Sequence, residues 1–147
     1  MNASTTGNVY GIYDMSGGAD ECVAAYVDND NSSLTTYGSS LVNADAKYKD
    51  VYTPNDDTRT GNYSSTSSKV GDAVYETSSS TTPAGALGYP YSWYSDGSSM
   101  PYSNWPFFLR GGRFSIDTDA GLFCFDDNVG DASSINGFRP VFVLYKN

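Results

Sequence analysis

The 147-residue chain contains no histidine, so it lacks the side chain that most often acts as a general acid or base near neutral pH. This absence excludes most His-dependent catalytic triads and most zinc sites. Basic residues are also few, because 8 Lys and Arg stand against 17 Asp and Glu, and the net charge is -9. A surface of that sign repels phosphate backbones and anionic membrane surfaces, so we expect no nucleic-acid partner.

The sequence also lacks any apolar run long enough to cross a bilayer, so we expect no membrane insertion by this domain. A signal peptide with charged and apolar parts is missing too, and we expect any targeting segment to lie outside this sequence. The length fits a single domain, residues 1–147. Abundant Tyr, Ser, Gly, Asn and Asp, with little Lys or Glu, favour an α+β fold that is β-rich, with one or two short helices and long ordered loops.

The two cysteines, Cys22 and Cys124, fit no metal-binding spacing, and two separate thiols are the favoured interpretation over a disulfide. The acidic spacing in Asp28–Ser33 lacks the glycine and the terminal glutamate of a calcium loop, so it indicates a solvated turn. No two carboxylates are marked as a catalytic pair for glycoside chemistry. We therefore predict no metal, no cofactor and no catalytic residue.

Three segments before residue 53 carry signals of regular structure. Val9–Met15 predicts a short strand, and Ala19–Val27 predicts a second strand, although its Ala and Glu would also suit a helix. Asn43–Tyr52 is the best helix candidate, with Asn43 or Asp45 as its N-cap and the following proline as its end.

The middle of the chain is polar and rich in Ser and Thr. Residues 55–69 predict a loop, and Val70–Thr77 predicts a short helix or a strand. The segment 78–88 is of low complexity. Tyr89–Tyr102 predicts an ordered loop that brings several tyrosines and Trp93 to the rim of a contact surface, since Tyr supplies stiff amphipathic contact area.

The last third of the chain, Trp105–Tyr145, has two hydrophobic blocks around a middle of chemically unrelated residues. A hairpin loop would be uniformly polar, whereas here Phe, Ile, Val and Cys alternate with Asp, Ser and Asn, which is typical of a contact surface. The residues predicted to carry the fold are Trp105, Phe107, Leu109, Leu122, Phe123, Phe125, Phe138, Val141 and Val143. The residues predicted to contact a ligand are Arg113, Phe114, Ser115, Ile116, Asp117, Asp119, Cys124, Asp126, Asp127, Asn128, Val129, Asp131, Ser133, Ile135 and Asn136.

Three motifs resemble the formylglycine-generating-enzyme branch of the C-type lectin fold. They are GNVYGIYDMSGGADECVAAY (Gly7–Tyr26), LRGG (Leu109–Gly112) and GFRPV (Gly137–Val141), in the order found in that branch. The resemblance implies a C-type lectin-like fold, with Arg110 and Arg139 as structural hydrogen-bonding groups. The catalytic members use a pair of cysteines near the RGG strand, where this chain has only Cys124.

The same tract is more similar to the variable proteins of diversity-generating retroelements, which end in an RGG…AGVF.F…G…FR pattern. In that family adenine-directed mutagenesis acts on codons that become NNY, and such codons cannot encode Lys, Glu, Gln, Met or Trp. None of these residues occurs between Gly111 and Tyr145. The resemblance implies a variable region at about 105–141 that contains the predicted contact residues. The calcium-dependent sugar motifs EPN, QPD and WND are missing.

These observations lead to a main hypothesis and two alternatives. The main hypothesis is a binding module that presents a hypervariable surface to a protein or glycan receptor, at a cell surface, extracellularly or on a virion. The first alternative is a catalyst of the formylglycine-generating (sulfatase-modifying) type, and the second is a structural surface or fibre protein. The oligomeric state stays open.

Overall fold

The computed structural model describes residues 18–65, 71–78 and 91–138. They form a mixed α+β structure with a five-stranded sheet and several short helices, which confirms the predicted α+β class. The strands are β1 Asp20–Val27, β2 Asp50–Tyr52, β3 Phe107–Arg110, β4 Phe125–Asn128 and β5 Asn136–Gly137. The α-helices are α1 Ser32–Thr36, α2 Ser39–Val42, α3 Arg59–Ser65 and α4 Ala73–Thr77, more than the one or two predicted. Short 3₁₀ segments span Ala46–Tyr48, Trp93–Ser95 and Phe114–Asp119.

β1 is the central strand of the sheet, and its predicted range Ala19–Val27 is confirmed to within one residue. β3 runs antiparallel to β1 and carries β4 on its other side, also antiparallel. β2 and β5 both pair in parallel with β1, at its end and its beginning, on the side away from β3. The register shift between Cys22 and Tyr26 marks a bulge in β1 opposite β3.

The two faces of the sheet are buried to different extents. One face carries the larger core, in which Val27, Phe108 and Phe125 are at most 1% exposed and the Tyr52 ring lies 4.9 Å from that of Phe108. Burying each of these aromatic side chains contributes about 2–3 kcal/mol. The opposite face carries a smaller cluster around Phe107, covered by α1 and α2. This leaves the rest of that face, beyond the helices, to be covered by loops.

The helix predicted at Asn43–Tyr52 is wrong. Asp45 caps only the 3₁₀ turn Ala46–Tyr48, and the last residues of the range form β2, paired with Ala25–Val27 of β1. Tyr52 is 3% exposed, and its hydroxyl donates a hydrogen bond of 2.8 Å to Asp72. Burial of the tyrosine against the sheet outweighs the weak local preference for a helix.

The loop predicted at residues 55–69 is wrong in part, because α3 occupies Arg59–Ser65, whereas 66–69 lie outside the described residues. Asn62 in this helix is completely buried. Its amide donates to the Pro101 carbonyl at 2.9 Å, and its side-chain oxygen accepts from the Asn55 N–H at 2.7 Å. These tertiary bonds stabilise a helix whose Gly, Asn and Ser content predicts none. For Val70–Thr77 the structure shows the helix α4, capped by Asp72.

The core positions predicted in the last third are correct in part. Phe107, Leu109 and Phe125 are buried as predicted. Trp105 is 41%, Leu122 46% and Phe138 80% exposed, so the prediction of burial for these three is wrong. Trp105 forms an isolated bridge with Tyr102 and Leu122 lies in a turn, so both stand outside the five strands of the sheet. Val141, Val143, Arg139 and the predicted strand Val9–Met15 lie outside the described residues.

Candidate functional site

The predicted contact residues fall into three groups by exposure. Exposed positions are Phe114, Ser115, Asp117, Asp131 and Ser133. Half-buried positions are Arg113, Ile116, Asp126, Asn128, Val129, Ile135 and Asn136. Asp119, Cys124 and Asp127 are at most 7% exposed, so the surface position predicted for these three is wrong. Asp127 and Cys124 point inward because they belong to β4 and to the turn that precedes it.

Two glycines turn the chain out of β3 into the first contact segment. Gly111 and Gly112 have φ values of +83° and +68°, a conformation that L side chains rarely adopt. A Cβ on Gly112 would also lie 2.8 Å from the Ala120 Cα. The turn is therefore fixed, and the following 3₁₀ segment Phe114–Asp119 starts from a defined point. The Phe114 N–H donates to the Gly18 carbonyl at 3.1 Å, which leaves its ring 74% exposed.

A groove of about 290 Å³ lies on the face of the sheet that α1 and α2 leave uncovered. Strand alternation places Leu109 and Asp126, which are register partners, on this face together with Asn128. Six of the fifteen predicted contact residues line this groove, and the other nine lie outside it. The lining residues are Asp20, Trp105, Leu109, Arg113, Asp126, Asp127, Asn128, Val129 and Ile135.

Arg113 and two carboxylates form an ion cluster at this groove. The Arg113 Nη1 lies 2.8 Å from the Asp20 Oδ2 and 3.7 Å from the Asp126 Oδ2. Asp20 is 1% exposed, and its second oxygen, Oδ1, has no hydrogen-bond partner. Asn136, the register partner of Asp20 on β5, also has both amide atoms buried without a partner. A buried polar atom without a partner costs free energy, so this end of the groove is incompletely satisfied.

The charge of Asp126 depends on its surroundings. Burial, and next the neighbouring Asp127, raise the pKa of the Asp126 carboxyl to about 6. At neutral pH the group is therefore mostly ionised, while mild acid protonates it. With Asp126 ionised, its carboxylate and that of Asp20 outnumber Arg113, the one cation among the described residues that line the groove.

Asp127 points to the opposite face, where it joins β4 to the preceding loops. Its Oδ2 accepts from the Arg59 Nε at 2.6 Å and from the Ser99 hydroxyl at 2.9 Å. The Arg59 guanidinium lies over the Tyr102 ring, with Cζ 4.0 Å from the centroid, and 5.8 Å from that of Trp105. Burial raises the pKa of Asp127, although Arg59 opposes the shift.

An aromatic platform, formed by Trp93, Tyr94 and Phe123, flanks the beginning of β4. Phe123 stacks on Tyr94 with ring centroids 5.8 Å apart and meets Trp93 edge-on at 5.3 Å. Tyr94 is 87% exposed and has a φ of +62°. The buried Asp96 carboxylate accepts the Phe123 N–H at 2.9 Å and so joins the two loops of the platform. The sequence predicted Trp93 at the rim, but it placed Phe123 in the core.

Both cysteines are free thiols: Cys22 is exposed on β1, and Cys124 is buried before β4. Burial, followed by the charge of Asp126, raises the pKa of the Cys124 thiol to about 12. At neutral pH such a group carries almost no thiolate, the form that reacts. Cys124 in this environment is therefore a small buried side chain rather than a nucleophile.

Arg110 lies on the larger-core face, with its Cζ 5.9 Å from the Phe125 ring centroid, away from the groove. A wider concavity of about 700 Å³ beside β1 and β2 contains none of the predicted contact residues. In the described ranges, no helix combines the length and apolar character needed to span a bilayer. Nor do the Cys, Asp and Glu side chains of those ranges form a group of three or more suited to a metal ion.

Comparison with known proteins gives no family assignment for the chain. No family model, no curated protein and no solved structure matches it. A function must therefore be inferred from the sequence motifs and from the geometry of the groove.

Proposed function

We propose that the chain is a receptor-binding module of the C-type lectin-like fold, whose hypervariable C-terminal surface is diversified by a retroelement. The observation that carries this proposal is the separation of two kinds of side chain within residues 107–136. Phe107, Leu109 and Phe125 are buried in the sheet, whereas Phe114 and Asp131 are exposed. A protein can vary exposed positions of this kind without loss of its core.

The exposed apolar side chains support recognition in particular. Phe114 is 74% exposed next to the fixed Gly111-Gly112 turn. The half-buried Ile116 and Val129 belong to neither of the two core clusters. Aromatic and aliphatic anchors surrounded by polar groups are typical of protein interfaces. The aromatic platform adds stiff contact area, because its rings are already stacked on one another.

The partner under this proposal is a protein or glycan receptor, met at a cell surface, outside the cell or on a virion. A surface that mixes a few apolar residues with acids gives modest affinity for one domain, since association also costs rotational and translational freedom. Display of several copies would raise the avidity without new contacts.

The two alternative functions receive less support from the described residues. A formylglycine-generating type of catalyst needs a reactive pair of cysteines near β3, whereas Cys124 is buried with its pKa raised to about 12. A purely structural protein gives no reason for Phe114 to be exposed in a region that also contains a groove lined by charged and apolar side chains. Binding accounts for both features.

The proposal is tested by sequencing the DNA that flanks the coding region. We expect a near-identical repeat of the segment for about residues 105–141, differing only at adenines, beside a reverse transcriptase gene. The differing codons should map to the exposed and half-buried contact residues and should spare those for Leu109, Cys124 and Phe125. Differences scattered evenly over buried and exposed codons, or no repeat at all, would remove the diversification hypothesis.

A further inference from the structure

We propose that the groove between β1, β4 and the loop 129–135 binds one basic side chain, an arginine, on the surface of a protein receptor. This inference rests on the proposed receptor-binding function and names the chemistry of the partner at that same site. The proposed occupant of the groove is a cationic group of a protein, rather than a sugar or a metal ion.

The first observation is an acceptor that the fold leaves unused. Asp20 is only 1% exposed. Of its two carboxylate oxygens, only Oδ2 has a partner, the Arg113 guanidinium. Its Oδ1 has no partner and is itself buried at the wall of the groove, so a donor in the groove would reach it after a small rotation of the side chain. A buried carboxylate oxygen keeps a strong demand for a donor, and guanidinium presents several N–H donors in one plane.

The second observation is the local balance of charge. Asp126 also lines the groove, and its Oδ2 lies 3.7 Å from Arg113, longer than a hydrogen bond. Arg113 is thus shared by two carboxylates. One further positive charge would neutralise the cluster, and the net charge of -9 favours the approach of a basic surface over long range.

The third observation is the composition of the remaining walls. Trp105, Val129 and Ile135 line the same groove, and Trp105 is 41% exposed. An arginine combines an apolar stem with a planar cation, so its stem would contact the aliphatic walls while the guanidinium reaches the carboxylates. A compact metal ion would leave these walls uncovered, and an anion would be repelled.

The test uses the full chain labelled with ¹⁵N and a single-arginine probe, N-acetyl-arginine amide, followed by two-dimensional NMR at low salt. N-acetyl-citrulline amide is the matched control, because it has nearly the same shape without the charge. We expect saturable shifts of the Asp126, Asn128 and Ile135 amides and of the Trp105 indole with the arginine probe. The citrulline probe should bind at least about tenfold more weakly, which corresponds to about 1.4 kcal/mol.

Two variants test whether the arginine probe binds in the groove. Asp126→Asn removes one negative charge from the groove and should weaken arginine binding several-fold, whereas Asp28→Asn removes the same charge from an exposed position and should not. The wild-type comparison of the two probes remains decisive if Asp126→Asn does not fold. Equal binding of both probes, shifts spread over the whole acidic surface, or a response to Ca²⁺ instead of arginine would overturn the inference.

The result of the NMR titration can be distinguished from the result of sequencing the flanking DNA. If the flanking DNA carries the adenine-substituted repeat and the arginine probe does not bind, receptor binding stands and the cationic partner is wrong. If the probe binds in the groove and the repeat is missing, the site stands and diversification is wrong.

Discussion

Asp126 stands in the groove at a cost to the stability of the fold. Its pKa is raised to about 6, first by burial and then by Asp127. A carboxyl group with a higher pKa in the folded than in the unfolded chain binds more protons when folded, so stability falls as the pH rises from the unfolded value of about 3.9 through that range. The group stabilises most in its protonated form, below pH of about 4. An ionised Asp126 carboxylate that lowers the stability of the fold at neutral pH is expected at a site that binds a cation.

Substitution Asp126→Asn is expected to stabilise the chain at neutral pH by about 1–2 kcal/mol, because it removes the cost of a buried charge. The gain should shrink as the pH falls and vanish near pH of about 4, where the wild-type group is protonated as well. Urea unfolding of both proteins across this range measures the difference. Asp28→Asn, at an exposed position, should change the stability little at any pH. A variant less stable than wild type at neutral pH would contradict the expectation.

Gly112 is the residue on which the geometry of the contact segment depends. Its φ is +68°, and an added Cβ would approach the Ala120 Cα to 2.8 Å. Gly112→Ala is therefore expected to reduce the free energy of unfolding by about 1–3 kcal/mol. The control is Gly18→Ala, where nothing lies within 4 Å of an added Cβ. Equal denaturation midpoints for the two variants would show that the turn is not constrained in this way.

The strand β4 and the 3₁₀ segment Phe114–Asp119 are buried to very different extents, although both belong to the same predicted variable tract. Phe125 on β4 is 1% exposed and packs 6.2 Å from the Phe108 ring, whereas Phe114 is 74% exposed. Phe125→Ala should destabilise the fold by about 3–5 kcal/mol. Phe114→Ala should change the stability by no more than about 0.5 kcal/mol. Chemical denaturation of the pair tests this, and a large loss in Phe114→Ala would mean that the segment is part of the core.

The elements that the sequence predicts correctly are those whose local pattern agrees with their packing. β1 is predicted because a run of apolar residues follows a glycine turn. The burial of Phe107 and Leu109 follows from the hydrophobic block before the RGG motif, and that of Phe125 from the apolar residues in the middle of the tract. α3 could not be predicted, since its helix depends on bonds from Asn62 to distant loops. β2 could not be predicted either, because its pairing with β1 is a tertiary contact.

The sequence likewise predicts some residues of the candidate site and not others. The tract that supplies Arg113, Asp126 and Ile135 is visible in the sequence as a mixture of unrelated residues. The role of Asp20 could not be predicted, because it lies 93 positions from Arg113 and its sequence context is that of an ordinary strand residue. The burial of Cys124 also escaped prediction, since alternating polar and apolar residues do not reveal which member of a turn faces inward.

In the molecule as a whole, the net charge and the groove would favour the same kind of partner, a basic one. A net charge of -9 favours the approach of a basic surface from a distance, and the attraction is screened over about 8 Å at physiological ionic strength. Salt should therefore slow association more than it speeds dissociation. Under the proposed function, the groove would position one cation, and exposed residues such as Phe114 would determine which receptor fits around it.

The separation of a constant core from a variable surface can be tested for the whole chain with two matched libraries. The first randomises Phe114, Ser115, Asp117, Asp131 and Ser133 with NNY codons, and the second randomises Phe107, Phe108, Leu109, Cys124 and Phe125 in the same way. The first set is exposed and the second is at most 8% exposed, so only the second should create cavities or buried unpaired polar groups. Display on yeast followed by protease treatment measures the folded fraction. We expect most members of the first library, and few of the second, to resist cleavage. Similar losses in both libraries would show that the contact surface and the core cannot be varied separately, and the binding module would then lack the physical basis for diversification.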